Sequence, residues 1–331
     1  MGELIRRINQ AKVFMWITII LLFLEIYFYA LPAYLPLAFW IFNDNTTKYS
    51  LEGFAAMGDA FGIFNTLFSA LAFLGLICTI YLQIRDASKQ SVIDKFYKML
   101  DFQETLVSQI TVLPITIDKR VKHPEQIQGR KAFVEYKIQL KYLMKVIQEI
   151  SEENTLGLSK VDIADISYAV FYYGSAPTWQ EFMRGYLKDY PNTDRLVRLI
   201  VEKLQKTDKY ALHRTNQNYL SVYYRNLYNT IKLIDTSTSL AEEEKKQHIK
   251  ILRARLCNSE LYVLFFNVIS RFGRKWIEND YIEHYQLIQN LPPRYCDGYD
   301  PKKYFPKVRF EEEETCLSWF HDRKNTRINA N

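Results

Sequence analysis

Two long apolar runs stand near the start of the chain, separated by an aromatic segment and a short polar loop. The first, Val13 to Leu31, has 19 residues and a single charged side chain, Glu25; the second, Phe61 to Leu82, has 22 residues and no formal charge. A hydrocarbon core about 30 Å thick needs roughly 20 apolar helical residues. The pattern therefore predicts an N-terminal two-helix transmembrane hairpin. A cleaved signal peptide is the alternative for the first run, but that run is long and lacks a small-x-small cleavage site.

Basic residues flank the two runs and predict the orientation of the hairpin. They are Arg6, Arg7 and Lys12 before the first run, and Arg85 and Lys89 after the second. The connecting segment holds only Lys48. The positive-inside rule then places both termini in the cytoplasm, with the protein in a bacterial inner (cytoplasmic) membrane and the lipid bilayer as its first partner.

Small residues recur at steps of three or four along the second run. They are Gly58, Gly62, Thr66, Ser69, Ala72, Gly75 and Thr79. Such a stripe lets helix backbones approach closely in lipid, so it predicts a packing face within one hairpin or between the copies of a homo-oligomer. Small residues are also simply common in membrane helices. Glu25, with Asn65 as a polar partner, is interpreted either as a pore-lining carboxylate or as a residue at interface depth.

The remainder of the chain predicts an all-α fold: amphipathic patterns dominate and strand-like alternation is poor. The domains are a hairpin over 1–84, a cytosolic α-helical domain over 85–292, and an extended or partly disordered tail over 293–331. Helices are predicted near 130–150, 160–173, 177–189, 193–206, 213–235, 240–256, 259–272 and 274–290.

Charge and motifs give little indication of catalysis. The net charge is +6, and residues 245–255 are rich in Lys and Arg beside a tyrosine-rich helix at 219–232. That combination is compatible with nucleic-acid binding, and equally with a solvated amphipathic surface. The sequence holds no phosphate-binding glycine loop, no nucleophile elbow and no zinc motif, so we predict no catalytic residue, no metal and no cofactor. Four distant cysteines predict free thiols, with pairing of Cys296 and Cys316 as the alternative.

Several segments together resemble the phage abortive infection protein family (AbiC-like). These segments are 58–83, 96–107, 129–133, 219–235, 251–270 and 284–292. Within them the resemblance selects seven residues as family-motif candidates: Gly129, Arg130, Phe133, Arg225, Arg253, Glu260 and Asn267. We expect Arg130 or Arg253 to pair with Glu260 inside the helical domain.

The resemblance implies bacterial anti-phage defence, with a phage component or a retron-type element as regulatory partner. The primary hypothesis is a non-enzymatic effector that disrupts the inner membrane once infection triggers it. The alternative is a membrane-anchored sensor, binding module or nuclease whose activity resides in the helical domain.

Overall fold

The computed structural model describes residues 51–115, 125–207 and 209–310, together with residue 20. These residues are mostly helical, which confirms the predicted all-α class. The α-helices are α1 (Leu51–Gln109), α2 (Arg130–Glu153), α3 (Lys160–Tyr173), α4 (Pro177–Tyr186), α5 (Thr193–Gln205), α6 (Gln217–Asp235), α7 (Glu242–Ala254), α8 (Asn258–Ile269), α9 (Arg274–Glu278), α10 (Tyr281–His284) and α11 (Pro301–Tyr304). Short 3₁₀ turns occupy Tyr210–His213, Arg271–Gly273 and Pro293–Tyr295.

The chain divides into two compact units, Met1–Leu82 and Gln83–Asn331. The boundary lies inside α1, which is one continuous helix of 59 residues. The sequence assigned the apolar first part of this helix and its amphipathic second part to different domains. The backbone shows no break between them, because no proline or helix-ending glycine interrupts residues 51–109.

The apolar part of α1 is exposed. Within the described residues, one helical stretch, Phe68–Gln109, is long and apolar enough to cross a membrane, with a mean hydropathy of 1.6 in its most apolar window. The side chains of that window are not buried by the protein. The first predicted run, Val13 to Leu31, lies outside the described residues, so the structure describes one of the two helices of the predicted hairpin.

The core of the second unit is built around α8, which packs against α2 and α3. Every residue of α8 from Ser259 to Val268 is buried. A helix that is apolar on most of its faces is stable where protein or lipid surrounds it, and α8 is surrounded by protein. The amphipathic α2 and the apolar α3 both pack against α8, so these three helices form the centre of the unit.

Capping interactions set the starts of two core helices. Ser159 and Asp162 form a reciprocal capping box at α3, with Asp162 N donating to Ser159 Oγ at 3.2 Å and Ser159 N donating to the Asp162 carboxylate at 2.9 Å. At α8, Cys257 N donates to Glu260 Oε2 at 2.9 Å. These bonds satisfy backbone donors that a helix start leaves without an intrahelical partner.

The structure differs from the sequence prediction at three places. The helix predicted over 274–290 is broken into α9 and α10, because Asp280 and Gln286 adopt left-handed backbone angles (φ 53° and 54°). A two-residue antiparallel pair joins Thr111–Val112 to Ile127–Gln128. Residues 293–310 of the predicted extended tail fold onto the second unit and bury Cys296, Tyr299 and Phe305, whereas residues 311–331 lie outside the described residues.

Candidate functional site

A buried carboxylate on α3, that of Asp165, is the centre of a polar site in the second unit. The Asp165 side chain is 5% exposed. It accepts hydrogen bonds from the Tyr186 and Tyr190 hydroxyls at 3.0 and 2.9 Å. It also accepts two from Arg271, one from the backbone N at 2.9 Å and one from Nε at 3.0 Å. Four donors around one buried carboxylate satisfy its charge without water.

Arg271 supplies the positive charge of this site. Its Nη1 donates to Asp189 Oδ2 at 2.8 Å, and its guanidinium carbon lies 4.7 Å from the centre of the Tyr190 ring. Burial raises the pKa of the Tyr186 and Tyr190 hydroxyls, and the charge of Asp165 adds to that effect. Both hydroxyls therefore stay protonated and keep donating to Asp165.

Phe272 follows Arg271 and inserts among aromatic rings of α3 and α4. Its ring centre lies 4.4 Å from that of Tyr186 and 4.5 Å from that of Tyr172, with Tyr168 and Tyr173 at 5.3 and 5.8 Å. Such spacings are typical of favourable aromatic contacts. Arg271–Gly273 is called the plug from here on, because it inserts two adjacent side chains between elements that come earlier in the chain.

Gly273 ends the plug where there is no room for a side chain. A Cβ at this position would lie 2.2 Å from the Val268 Cα and 2.4 Å from the Asn267 carbonyl oxygen. The backbone therefore turns back tightly onto the end of α8. This close approach directs Arg271 and Phe272 toward α3 and α4.

A cleft of about 500 Å³ opens beside the plug. Its polar wall contains Asp162, Asp165, Asp189, Tyr190 and Arg271. Its apolar wall contains Leu156, Leu158, Val161, Pro191 and Ile269. A cleft that combines apolar walls with a few convergent polar groups is the usual form of a binding site. Three carboxylates and one guanidinium make this one acidic.

Two of the family-motif candidates, Glu260 and Asn267, are buried polar residues of α8. Glu260 accepts a hydrogen bond from the Tyr223 hydroxyl at 3.0 Å, in addition to the bond from Cys257 N. Burial and the Glu260 charge together raise the pKa of Tyr223. Asn267 donates to the Tyr168 hydroxyl at 2.9 Å. Because Tyr168 also contacts Phe272, the Asn267 bond lies beside the plug.

The arginines selected by the resemblance contact different parts of the helical unit. Arg130 Nη2 pairs with Glu104 Oε1 on α1 at 2.6 Å, and the charge of Glu260 also acts on the Arg130 guanidinium. Arg253 Nη1 donates to the Gln286 carbonyl at 2.9 Å. Arg225 is exposed on α6. These three side chains are not gathered into one site.

Gly129 and Phe133 act at the start of α2. Gly129 has a φ of 71°, in the left-handed region that favours glycine, and its N donates to the Ile110 carbonyl at 2.9 Å. Phe133 is fully buried, with its ring centre 5.0 Å from that of Tyr223. Their contacts fit a role in connecting α1 to the core.

The membrane-packing candidates fall partly within the described residues. Gly62, Asn65, Ser69 and Gly75 are exposed on α1, and Gly58 lies on the same helix. The Thr66 and Thr79 hydroxyls donate to the carbonyls of Gly62 and Gly75, both at 2.8 Å. Glu25 lies outside the described residues.

The basic segment on α7 is largely neutralised by neighbouring acids. Lys245 and Lys246 lie 3.9 and 3.7 Å from Glu242 and Glu243, and Arg255 lies 3.3 Å from Asp101 on α1. Within the described part of the chain, no group of three or more His, Cys, Asp or Glu residues is arranged to hold a metal ion. Three of the cysteines, Cys78, Cys257 and Cys296, are free thiols.

The sequence analysis did not identify Asp165, Arg271 or Phe272. One signal was present: Asp165 is a lone acid within the apolar stretch 163–171, and a charge in such a helix requires a buried partner. The partner is more than 100 residues away in the chain, so spacing alone gives no means of locating it.

A comparison with protein-family models finds a match in the second half of the chain. Residues 215–295 match the family described as "Putative phage abortive infection protein" (putAbiC), which supports a role in phage defence. The searches of curated proteins and of solved structures find no match. The matched segment runs from α6 to the 3₁₀ turn at Pro293–Tyr295 and includes Glu260, Asn267 and the plug. The resemblance predicted from the sequence is thus confirmed over residues 215–295, which are similar to the phage abortive infection family.

Proposed function

We propose that this chain is a membrane-anchored phage-defence effector that disrupts the inner membrane when infection triggers its helical unit. The observation that supports the membrane location is the exposed apolar surface of α1. Phe73, Leu74 and Tyr81 are 62%, 57% and 67% exposed, and their apolar neighbours are similarly uncovered. A continuous apolar surface of this kind is unfavourable in water and favourable in lipid.

The full proposal includes the first apolar run. Residues 13–31 and the apolar part of α1 would form a two-helix hairpin with both termini in the cytoplasm, as the basic flanks favour. Glu25 would then lie within the first span, facing either the pore or the interface. Gln83–Asn331 would be the cytosolic, regulated unit.

The small-residue stripe is the proposed contact between helices. The hydroxyls of Thr66 and Thr79 are satisfied by carbonyls of their own helix, so they carry little cost in lipid. The stripe therefore combines a narrow profile with few unmet hydrogen bonds. Copies of the chain would associate through Gly62, Ser69 and Gly75, and association would make the membrane leaky.

Membrane potential during infection tests this mechanism. A voltage-sensitive dye would be followed in cells that carry wild type, a Gly62→Leu and Ser69→Leu double variant, or Leu71→Ile as a matched control on the opposite face of α1. We expect early depolarisation in wild type and in the control but not in the double variant. A potential that holds in wild-type cells that still stop phage would contradict membrane disruption.

A second candidate is a membrane-anchored sensor or binding module, and the acidic cleft beside the plug favours it. In that case the hairpin only tethers the chain, and recognition of a phage or retron-type partner takes place on the helical unit. Loss of protection in an Asp162→Asn variant, with membrane potential unchanged in wild type, would favour this candidate. A nucleic-acid partner would require binding that weakens steeply with salt.

A further inference from the structure

The plug joins a part of the helical unit that matches the abortive infection family to a part that lies outside the match. Arg271, Phe272 and Gly273 belong to the segment that matches the abortive infection family. The side chains that receive them lie on α3, on α4 and just after α4, outside that segment. The plug is therefore one of the contacts between this segment and the preceding helices, beside the packing of α8 against α2 and α3.

The fastening depends on one guanidinium. Of the four hydrogen bonds to buried Asp165, one comes from the guanidinium Nε of Arg271, one from the Arg271 backbone N, and two from tyrosines. When Arg271 leaves, the carboxylate keeps neutral donors only and loses its counter-charge. Loss of one partner of a buried pair is strongly unfavourable unless water or another cation replaces it. The closed state is thus well defined, and opening is a discrete step rather than a gradual loosening.

Solvent reaches this guanidinium from the cleft. The side chain of Arg271 is 36% exposed and that of its second partner, Asp189, is 66% exposed, whereas Asp165 is 5% exposed. Water can therefore enter on the Asp189 side while the tyrosine rings stay in place. An ion pair fully enclosed by the core would lack such a route.

The chain that follows the plug is held by short elements. α9 has five residues and α10 has four, and left-handed residues Asp280 and Gln286 interrupt the helical pattern. Helices this short form few backbone hydrogen bonds of their own and depend on tertiary contacts. Release of the plug removes the contacts of Arg271 and Phe272 at the start of the segment 270–284, whereas Trp276 and Tyr281 keep their ring contacts with Tyr228 on α6.

We propose that the plug is a releasable latch: Arg271 and Phe272 hold the chain that follows α8 closed against α3 and α4, and release of the plug switches the helical unit to its active state. This regulation rests on the proposed defence function for its cellular effect, but the opening itself does not. In the closed state Asp165 and the tyrosine rings are occupied by the chain's own residues. In the open state Asp165, which already lines the cleft, loses the guanidinium of Arg271.

Hydrogen–deuterium exchange of the full chain in lipid nanodiscs tests the opening. The variants are Arg271→Ala, which removes the guanidinium, and Asp189→Asn, which removes its exposed partner and leaves the core untouched. Arg274→Ala is the matched control, because Arg274 pairs only locally with Glu278 and is 81% exposed. We expect at least tenfold faster exchange over 270–284 in Arg271→Ala, a smaller increase there in Asp189→Asn, and wild-type exchange in the control. Residues 133–147 and 261–268 should stay protected.

The cellular arm measures growth without phage. Arg271→Ala should arrest growth, since the latch is open, and the control should not. Local opening without growth arrest, in cells where wild type still stops phage, overturns the regulatory role. Exchange over 270–284 that matches the control in Asp189→Asn, together with global loss of protection in Arg271→Ala, overturns the latch and makes the plug a fixed part of the core. Failure of wild type to stop phage counts against the proposed function and leaves the exchange result standing.

Discussion

Two apolar helical stretches of this chain have similar composition and opposite surroundings. From Leu261 to Phe266 no side chain of α8 is more than 1% exposed. Along the apolar part of α1, Phe73, Leu74 and Ile77 are 62%, 57% and 47% exposed. The first stretch is surrounded by protein, whereas nothing in the described structure covers the second. The difference teaches that hydropathy identifies helices that are unfavourable in water. The structure is needed to show which of them are buried by protein and which have an exposed surface that lipid could cover.

The largest effect should be the difference in stability between two Phe→Ala variants, one in each stretch. Phe266→Ala removes a fully buried ring from the core and should lower the free energy of unfolding of the helical unit by about 3–5 kcal/mol. Phe73→Ala should change that free energy by less than about 0.5 kcal/mol, because its ring is exposed. Denaturant unfolding in detergent micelles, followed by near-ultraviolet circular dichroism, measures both. Equal losses would show that the two surroundings are not different.

A charge in the exposed stretch should act on the membrane and spare the fold. Leu74→Arg should disfavour insertion of the α1 stretch by about 2.5–3.5 kcal/mol on insertion scales, while Leu74→Ile should be neutral. Cys78 lies on the same helix and is exposed in the absence of lipid. In intact membranes it should resist a water-soluble maleimide in wild type and be labelled in Leu74→Arg. Equal labelling of the two would contradict the membrane assignment of this stretch.

A pair of glycine substitutions compares crowded and open backbone. Gly273→Ala places a Cβ against backbone atoms at the end of α8 and should lower stability by about 1–3 kcal/mol, since those atoms cannot rotate away. Gly185→Ala, within α4, meets no atom within 4 Å and should raise stability by about 0.5–1 kcal/mol through helix propensity. Thermal unfolding of the two variants should therefore shift in opposite directions. A neutral Gly273→Ala would mean that the plug backbone is not closely packed.

The smallest effect concerns pH at the part of α1 that packs against protein. The His248 ring lies 5.3 Å from that of Phe96, and burial lowers the pKa of His248, opposed in part by Glu244. The folded state thus binds the proton less well than the unfolded state. The neutral histidine contributes stability above its unfolded pKa of about 6.5, and that stability is lost as pH falls through the lowered folded pKa.

His248→Phe keeps an aromatic ring and removes the titration. Between pH 7.5 and pH 5 its unfolding midpoint should fall less than that of wild type. An identical fall in both proteins would assign the pH dependence to other groups.

Local patterns were sufficient for much of the fold. The helix predicted over 160–173 is observed as Lys160–Tyr173, because Ser159 and Asp162 mark its start and Gly174 follows its end. The predicted helix over 193–206 is observed as Thr193–Gln205. The break within 274–290 was missed, since Asp280 and Gln286 are left-handed without being glycine, and tertiary contacts decide such angles.

The candidate site was less accessible to sequence reasoning than the helices. Glu260 and Asn267 were selected by resemblance. Both side chains are buried and hydrogen-bonded to tyrosine hydroxyls. The pattern gave no reason to select Arg271, because an arginine is common at the C-terminal end of a helix. Its partner Asp165 lies 106 residues earlier, and a single sequence holds no information that connects the two.

Cys296 gives the helical unit an internal reporter of its own opening. The thiol is fully buried, and burial raises its pKa to about 12, so almost none is present as the reactive thiolate at neutral pH. Alkylating reagents and cellular oxidants can attack it at an appreciable rate only in molecules that have opened. The rate of Cys296 alkylation, followed by mass spectrometry in living cells, would therefore count opening events at the moment when infection occurs.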